Sequence, residues 1–174
     1  MNAGVTLLTE RLTLRKLTEA DIPALVAGLN DFTVSGWLTV VPYPYTEEDA
    51  RGFVAHIAGE PDGFDGFAIV AGGTVVGVIG IGDSLGYWLA RAAQGRGYAS
   101  EAAVALVSHY FAATGAERLA SGYFEGNHPS CHVLDKLGFV PDGTARVKSR
   151  AQAMDMTLEK MILTRTAWEA RHGH

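Results

Sequence analysis

The sequence predicts a mixed α/β fold, and three observations support this prediction. "FAIVA" and "TVVGVIGIG" are two apolar runs of strand length, and the pair Gly72-Gly73 between them suits the positive φ angles of a hairpin turn. From Tyr98 onwards the apolar residues recur every 3.6 positions, which predicts an amphipathic helix. Along the chain we expect a strand, two helices, three strands, a helix, a strand, a helix and two strands. That order differs from the regular alternation of a doubly wound sheet.

Length and composition narrow the class of protein. A chain of 174 residues predicts one domain, residues 1–174, with a hydrophobic core of its own. Hydrophobic residues make up 48% and charged residues 19%, and the net charge of −5 provides no surface that attracts a nucleic-acid backbone. The single cysteine, Cys131, excludes an internal disulfide and fits a reducing compartment. We find no secretion signal and no membrane-spanning run, so we expect a cytoplasmic protein.

The first half of the chain shows strand and helix signals in alternation. Leu12 and Leu14 alternate with polar residues, as in a half-buried strand. Thr18 then precedes one helical pattern, and Thr46 precedes a second with acidic residues in its first turn. After the glycine hairpin, "SLGYWLA" is typical of a third strand.

The second half continues in the same way. Gly115 is expected to end the helix that begins at Tyr98. "ERLASGYF" predicts the next strand, and a short helix with Asn127 as its N-cap should end at Gly138. The tail predicts a closing hairpin followed by a helical turn around Trp168.

A glycine-rich turn, "QGRGYAS", separates the third strand from the long helix. Such a turn places free backbone N–H groups at a helix N-terminus, where they favour an anion such as phosphate. A Walker loop would need Lys-Ser or Lys-Thr after its last glycine, and neither follows Gly97. A dinucleotide-binding fingerprint would need a third glycine where Ser100 stands, and Glu117 lies at the wrong end of the next strand. A tight turn without a ligand is the remaining local alternative.

The same turn resembles the pyrophosphate loop of the GNAT superfamily of N-acetyltransferases, whose pattern is Gln/Arg-x-x-Gly-x-Gly/Ala. "LGYWLARAAQGRGYASEA", "NHPSCHVLDKLGF" and "LLTERLTLRKLTEADIPAL" resemble segments of the branch that acetylates N-termini of ribosomal proteins. The resemblance runs from about Leu8 to Trp168. It implies the acyl-CoA N-acyltransferase fold, a mostly antiparallel twisted sheet of about seven strands with helices on both faces. Two central strands of that fold are parallel and splay apart.

The resemblance implies acetyl-CoA as the acetyl donor. Backbone amides of the glycine turn would hold its pyrophosphate, and the strand "SLGYWLA" would pair with the pantetheine arm. A backbone N–H near the middle of that strand would face the developing oxyanion. The residues expected to bind the coenzyme are Tyr87, Trp88, Leu89, Gln94, Gly95, Arg96, Gly97, Tyr98, Ala99, Ser100, Asn127 and Ser130.

Two positions depart from the pattern of the family. Its ribosomal branch often carries a glutamate base where Ser84 stands, and a hydroxyl cannot replace a carboxylate as a proton acceptor. Asp83 should face the other side of the strand, so Glu125, after the following strand, is the expected base. Leu134 occupies the position of a tyrosine acid found elsewhere in the superfamily. We therefore expect Ser130 to return the proton to the leaving thiolate.

The acceptor is expected to be a primary amine, either the N-terminal α-amine of a protein or peptide or a small-molecule amine, and the missing base favours an α-amino group or another weakly basic amine. Roughly one α-amine in ten is neutral at pH 7, against roughly one lysine side chain in a few thousand. The resemblance implies that the aromatic residues Trp37, Tyr43 and Tyr45 line the acceptor side, and Ser84 is expected there too.

Three alternatives remain beside this prediction. A chain that lacks both family residues could be an acyl-CoA-binding sensor without turnover, and a nicotinamide-binding enzyme is a more distant option. His128, Cys131 and His132 have the spacing of a metal-binding face, but Pro129 stands where a zincin would carry glutamate, so we expect no metal. The expected partners are acetyl-CoA and an amine, with no nucleic acid and no membrane. A homodimer is one assembly that the resemblance allows.

Overall fold

The fold is built from two antiparallel sheets and six α-helices, seen in a computed structural model that describes residues 4–60 and 63–173. The strands are β1 Leu7–Leu8, β2 Leu12–Lys16, β3 Phe67–Ala71, β4 Thr74–Ile81, β5 Leu85–Leu89, β6 Arg118–Phe124, β7 Val140–Ser149 and β8 Met154–Thr164. The helices are α1 Ile22–Leu29, α2 Phe32–Ser35, α3 Glu47–Gly59, α4 Tyr98–Ala113, α5 His128–Leu137 and α6 Arg165–His172. Single turns of 3-10 helix cover Glu19–Asp21 and Arg91–Ala93. The predicted mixed α/β fold is confirmed.

The sheets differ in one respect from the single sheet that was expected. Strands β1 to β5 form one sheet in chain order, while the second sheet has the order β6-β8-β7. All strand pairs among the described residues are antiparallel. The break falls between β5 and β6, the two strands expected to splay apart. They approach where the Ser121 hydroxyl donates a hydrogen bond to the Leu85 carbonyl, over 2.8 Å.

Several local predictions are confirmed. Gly72 and Gly73 have φ angles of 56° and 79° and form the β3–β4 hairpin turn. Thr46 caps α3, since its hydroxyl accepts a hydrogen bond from the Asp49 N–H, and Gly138 ends α5 with a φ angle of 102°.

The prediction that Gly115 ends α4 is wrong. The helix ends at Ala113, and Thr114 rather than Gly115 is the C-cap. The Thr114 hydroxyl donates to the Tyr110 carbonyl over 2.8 Å, and Gly115 does not adopt a positive φ angle. The Tyr110 carbonyl also accepts from the Thr114 N–H, and the next carbonyl, that of Phe111, accepts from the Arg165 guanidinium over 2.7 Å. Side chains thus serve the end of the helix without a left-handed glycine.

The core lies on both faces of the first sheet. On one face, β2 to β5 pack against α4, α5 and α6 through residues such as Leu14, Leu106 and Leu134. On the other face, α1, α2 and α3 cover the sheet with a smaller cluster that includes Leu25 and Val78. In the described part of the chain, no helix is long and apolar enough to cross a membrane. Strand β5 is therefore sandwiched between two helical layers, with one of its edges directed at the gap before β6.

Candidate functional site

The glycine turn between β5 and α4 presents its backbone outwards. Gly95 and Gly97 have φ angles of 76° and 81°, in the left-handed region that other residues adopt only with strain. The Gln94 side chain fixes the start of the turn by donating to the Leu89 carbonyl over 3.0 Å. Two left-handed glycines so close together turn the chain from the strand directly into the helix.

Six consecutive backbone N–H groups of this turn are available to a ligand. Within residues 4–60 and 63–173, the N–H groups of residues 95–100 have no hydrogen-bond acceptor. The last three of them belong to the first turn of α4, where the helix dipole adds a partial positive charge. The predicted coenzyme-binding residues from Gln94 to Ser100 therefore form one continuous segment that presents free N–H groups, which we call the amide loop.

The N-terminal strands hold the amide loop in place, a contact that the sequence analysis missed. The Arg11 guanidinium donates to the Arg96 carbonyl over 2.8 Å and to the Glu101 carboxylate over 2.7 Å, and it lies 4.8 Å from the centre of the Tyr98 ring. The Thr9 hydroxyl donates to the same carboxylate over 2.6 Å. Arg11 thus joins the turn after β1 to both ends of the loop.

Glu101 is held in its charged form by these contacts. Desolvation beside α4 acts to raise the pKa of Glu101, but the hydrogen bonds from Thr9 and Arg11 and the Arg11 charge outweigh it, so the pKa is below its usual range. A carboxylate in the first helical turn is also favoured by the helix dipole. Glu101 therefore anchors Arg11 at neutral pH.

Two hydroxyl groups meet where the middle of β5 faces α5. Tyr87 Oη and Ser130 Oγ lie 2.9 Å apart, and either atom could be the donor. Ser130 is in the first turn of α5, where its N–H donates to Asn127 Oδ1 over 3.5 Å. Burial raises the pKa of Tyr87 to about 12, although the Ser130 hydrogen bond acts in the opposite direction. Tyr87 is consequently a neutral hydrogen-bonding partner of Ser130 at physiological pH.

The free edge of β5 connects these two regions. Strand β5 is the last strand of its sheet, and residues 85–89 pair only with β4 among the described residues. An edge strand leaves alternate N–H and C=O groups unpaired and able to bind an extended ligand. The predicted residues Tyr87, Trp88 and Leu89 all lie on this edge strand.

A pocket of about 410 Å³ opens on the α1–α3 side of the first sheet. Its floor is made by β4 and β5, and its walls come from the ends of α1 and α3, the segment after α2 and the turn after β7. The lining residues are Leu29, Leu38, Thr39, Val40, Val41, Pro42, Tyr45, Asp49, Phe53, Asp65, Val78, Gly80, Gly82, Ser84, Gly86, Tyr87, Trp88 and Arg150. We call it the acceptor-side pocket.

Some of the residues predicted for the acceptor side line this pocket, and others do not. Ser84 lines it, whereas Trp37 and Tyr43 are exposed and do not. Tyr43 packs edge-to-face against Phe32, and the Trp37 ring lies near Gly126, where a Cβ atom would be 3.7 Å from it. Tyr45, expected beside Trp37 and Tyr43, is a buried residue of the pocket lining.

Glu125, the predicted base, stands apart from the pocket. It is an exposed residue directly after β6, and its N–H donates to the Thr157 carbonyl over 2.9 Å. The acidic residues that do line the pocket are Asp49 and Asp65. Sequence reasoning identified neither, because Asp49 belonged to a helix cap and Asp65 to an unremarkable loop.

The other residues singled out in the sequence also have clear positions. Leu134, where a superfamily tyrosine would stand, is fully buried in the core. His128 and His132 are exposed on α5, while Cys131 is half-buried with its Sγ atom 3.8 Å from Asp135 Oδ2. In the part of the chain that the structure describes, the ligand atoms of His128, Cys131 and His132 do not converge.

Comparisons with known proteins agree with this geometry. The family model described as "Acetyltransferase (GNAT) domain" matches residues 11–140, more than half of the chain. The chain is 28% identical over 172 residues to the uncharacterized N-acetyltransferase p20 of Bacillus licheniformis, covering 90% of this chain and 96% of that protein. This chain belongs to the GNAT acetyltransferase family.

Solved structures have the same fold. The GNAT-family acetyltransferase from Bacillus anthracis superimposes with a TM-score of 0.76 at 25% identity, covering 92% of this chain and 98% of that one. RimL, the ribosomal L7/L12 α-N-protein acetyltransferase in complex with coenzyme A, gives a TM-score of 0.80 at 21% identity over 94% of this chain and 99% of that one. The likeness to RimL establishes the fold, and the coenzyme described there belongs to that protein.

Proposed function

We propose that this chain transfers the acetyl group of acetyl-CoA directly to a primary amine, most favourably an N-terminal α-amine. The observation that carries the proposal is the arrangement around β5. One helical layer presents the amide loop and the Tyr87–Ser130 pair, and the opposite layer contains the acceptor-side pocket. Tyr87 and Trp88 belong to the strand that separates the two sides.

The amide loop would hold the pyrophosphate of acetyl-CoA. Its six free N–H groups and the N-terminus of α4 supply donors and partial positive charge without a metal ion. Arg96, which is exposed, adds a full charge beside them. The open space around Gly95, where a Cβ atom would meet no atom within 4 Å, leaves room for the phosphates to approach the backbone.

The free edge of β5 would bind the amide-containing pantetheine arm as an additional strand. Because residues 85–89 pair only with β4 in the described structure, their outer backbone groups can bond to the arm, apart from the Leu85 and Leu89 carbonyls, which already accept hydrogen bonds from side chains. One N–H near Tyr87 to Leu89 would stabilise the oxyanion of the tetrahedral intermediate. Asn127 fixes the start of α5 and so keeps Ser130 near the thioester.

Ser130 is proposed to donate its proton to the departing thiolate. The Tyr87 hydroxyl, 2.9 Å away, would orient Ser130 and hand it a proton in turn. Acetyl transfer on this route forms the amide C–N bond as the thioester C–S bond breaks, with no covalent enzyme intermediate.

The acceptor would enter from the other layer. Ser84 lines the pocket, and Trp37 and Tyr43 are proposed to guide an acceptor towards it from the surface. The resemblance to acetyltransferases of ribosomal protein N-termini supports an α-amine, as does its larger neutral fraction at pH 7. Glu125 is the base predicted from the sequence, and the variant Glu125→Gln tests its role.

A thiol-release assay tests the proposal. Acetyl-CoA is mixed with peptides that have a free N-terminus and with N-blocked peptides that contain lysine, and free thiol is followed at steady state. We expect turnover with the free N-termini. Preference for lysine would contradict the α-amine assignment. Binding of coenzyme A without turnover on any amine would contradict the enzyme and favour the acyl-CoA-binding sensor.

A further inference from the structure

The loop before β3 places Asp65 directly over Gly80 of β4 and Gly82, which follows that strand. A Cβ atom on Gly80 would lie 2.4 Å from the Asp65 carbonyl oxygen, and a Cβ atom on Gly82 would lie 2.7 Å from Asp65 Oδ1. Real Cβ atoms do not approach so closely, so Gly80 is required for the Asp65 backbone to occupy this place, and a side chain at position 82 would displace the Asp65 carboxylate. The loop is fixed there by the Ile81 N–H, which donates to the Phe64 carbonyl over 2.8 Å.

The floor of the acceptor-side pocket is open beside this carboxylate. Gly80 pairs with Gly86 across β4 and β5, and Gly82 and Ser84 continue the floor. None of these residues has a side chain larger than a hydroxymethyl group. The Asp65 carboxylate and Ser84 thus line the same open pocket.

Asp65 is also the acid of the pocket that does not serve in a helix cap. Asp49 uses one carboxylate oxygen to accept hydrogen bonds from both the N–H and the hydroxyl of Thr46, and Arg150 contributes further to lowering its pKa. Asp65 Oδ2 lies 3.4 Å from His56 Nε2, while Oδ1 is turned towards Gly82 and the pocket floor. Contact with His56 orients the carboxylate without using both oxygens.

We propose that Asp65 binds the ammonium group of the acceptor and removes its proton, an inference that rests on the proposed acetyl transfer. In this step an N–H bond of the acceptor breaks, and the proton moves to Asp65 Oδ1, from which it passes to water in the open pocket. The neutral amine then attacks the thioester carbon. The second amine proton passes to water as the intermediate collapses. The leaving thiolate takes its proton from Ser130, which regains one from Tyr87, and water returns a proton to Tyr87.

The walls of the pocket indicate the class of amine. Leu38, Val41, Phe53 and Trp88 form an apolar surface next to the carboxylate. A volume of about 410 Å³ lies at the small end of ligand pockets and suits one residue with its α-amine. We therefore infer that the acceptor is a primary amine on a small apolar group, such as a peptide with an N-terminal alanine or valine.

The experiment compares isosteric variants with an alanine-initiated peptide as acceptor. Asp65→Asn keeps the shape and removes the charge, so kcat/KM for the peptide is expected to fall about 100-fold. Its affinity for coenzyme A should stay within twofold of the wild type. Asp83→Asn removes the same charge from the exposed turn between β4 and β5, outside the pocket lining, and should behave like the wild type.

Two further variants keep the test decisive if Asp65→Asn folds poorly. Gly82→Ala retains the charge but pushes Oδ1 away, and it should lower kcat/KM for the peptide at least tenfold. Adding Ser84→Glu to Asp65→Asn places a carboxylate on the pocket floor again and should restore part of the loss.

The outcomes separate this inference from the proposed function. The wild type is expected to turn over. If kcat/KM for the peptide in Asp65→Asn or in Gly82→Ala is within threefold of the wild-type value, the proposed role of Asp65 is overturned. A loss in Glu125→Gln that exceeds the loss in Asp65→Asn would overturn it too, in favour of Glu125. Absence of turnover in the wild type itself, with any amine, would instead contradict the proposed function.

Discussion

The two sides of β5 are built in different ways. On the side of the amide loop, the predicted residues lie in two continuous segments, residues 87–100 and 127–130, each at the start of a helix. On the acceptor side, the pocket is assembled from at least five separate segments between Leu29 and Arg150. The amide loop uses backbone groups, whereas the pocket relies on side chains. A binding surface made from backbone can be read from a local pattern, and a pocket made from distant side chains cannot.

The strongest test of the amide-loop side concerns the paired hydroxyls. Ser130→Ala removes the group proposed to protonate the leaving thiolate, and we expect kcat to fall about 100-fold. Tyr87→Phe should cost less, and the double variant should be little worse than Ser130→Ala, because the two hydroxyls act as one unit. Steady-state kinetics of the wild type, the two single variants and the double variant measures the coupling between the two hydroxyls. Additive losses would show that the hydroxyls act independently.

The next test strains the loop itself. Gly95→Val forces a branched side chain into a left-handed conformation, which costs about 1–2 kcal/mol, so the amides should leave their present arrangement. We expect the affinity for coenzyme A to fall about tenfold, since 1.4 kcal/mol corresponds to a factor of ten. Gly143→Val is the matched control, because Gly143 has a φ angle of 91° in the exposed bulge of β7. Equal weakening in both variants would mean that general strain, not the loop, is responsible.

The smallest expected effect concerns Glu101, which anchors Arg11 beside the amide loop. The pKa of Glu101 is lowered in the folded protein, so its contribution to stability is present above the usual carboxyl value of 4.5 and is lost as the pH falls through the lowered pKa. Glu101→Gln should therefore have a lower Tm than the wild type at pH 7, and the difference should shrink towards pH 3. Thermal unfolding over this range measures it. A difference that is constant with pH would contradict the role of the Glu101 charge.

Prediction from the sequence succeeded where the determinants were local. The Gly72-Gly73 turn, the Thr46 cap and the start of α4 at Tyr98 each depend on residues within one turn of the chain, and all three were found. The end of α4 was assigned to Gly115 because the hydrogen bond from the Thr114 side chain leaves no clear trace in the sequence.

Contacts between distant residues account for what was missed. Arg11 reaches Arg96 and Glu101 across at least 85 positions, so only the fold brings them together. Asp65 enters the pocket because Gly80 and Gly82 leave space for it, and no motif marks that relationship. The glycines of β4 were read as part of a strand, and their missing side chains proved to be the informative feature.

The central claim is that the two sides of β5 serve two different substrates, and coenzyme A binding tests it most directly. Calorimetric titration of coenzyme A into Gly95→Val and Asp65→Asn, beside the wild type, compares one variant from each side. The account predicts about tenfold weaker binding for Gly95→Val and binding within twofold of the wild type for Asp65→Asn. Wild-type affinity in Gly95→Val, or equal weakening in both variants, would contradict it.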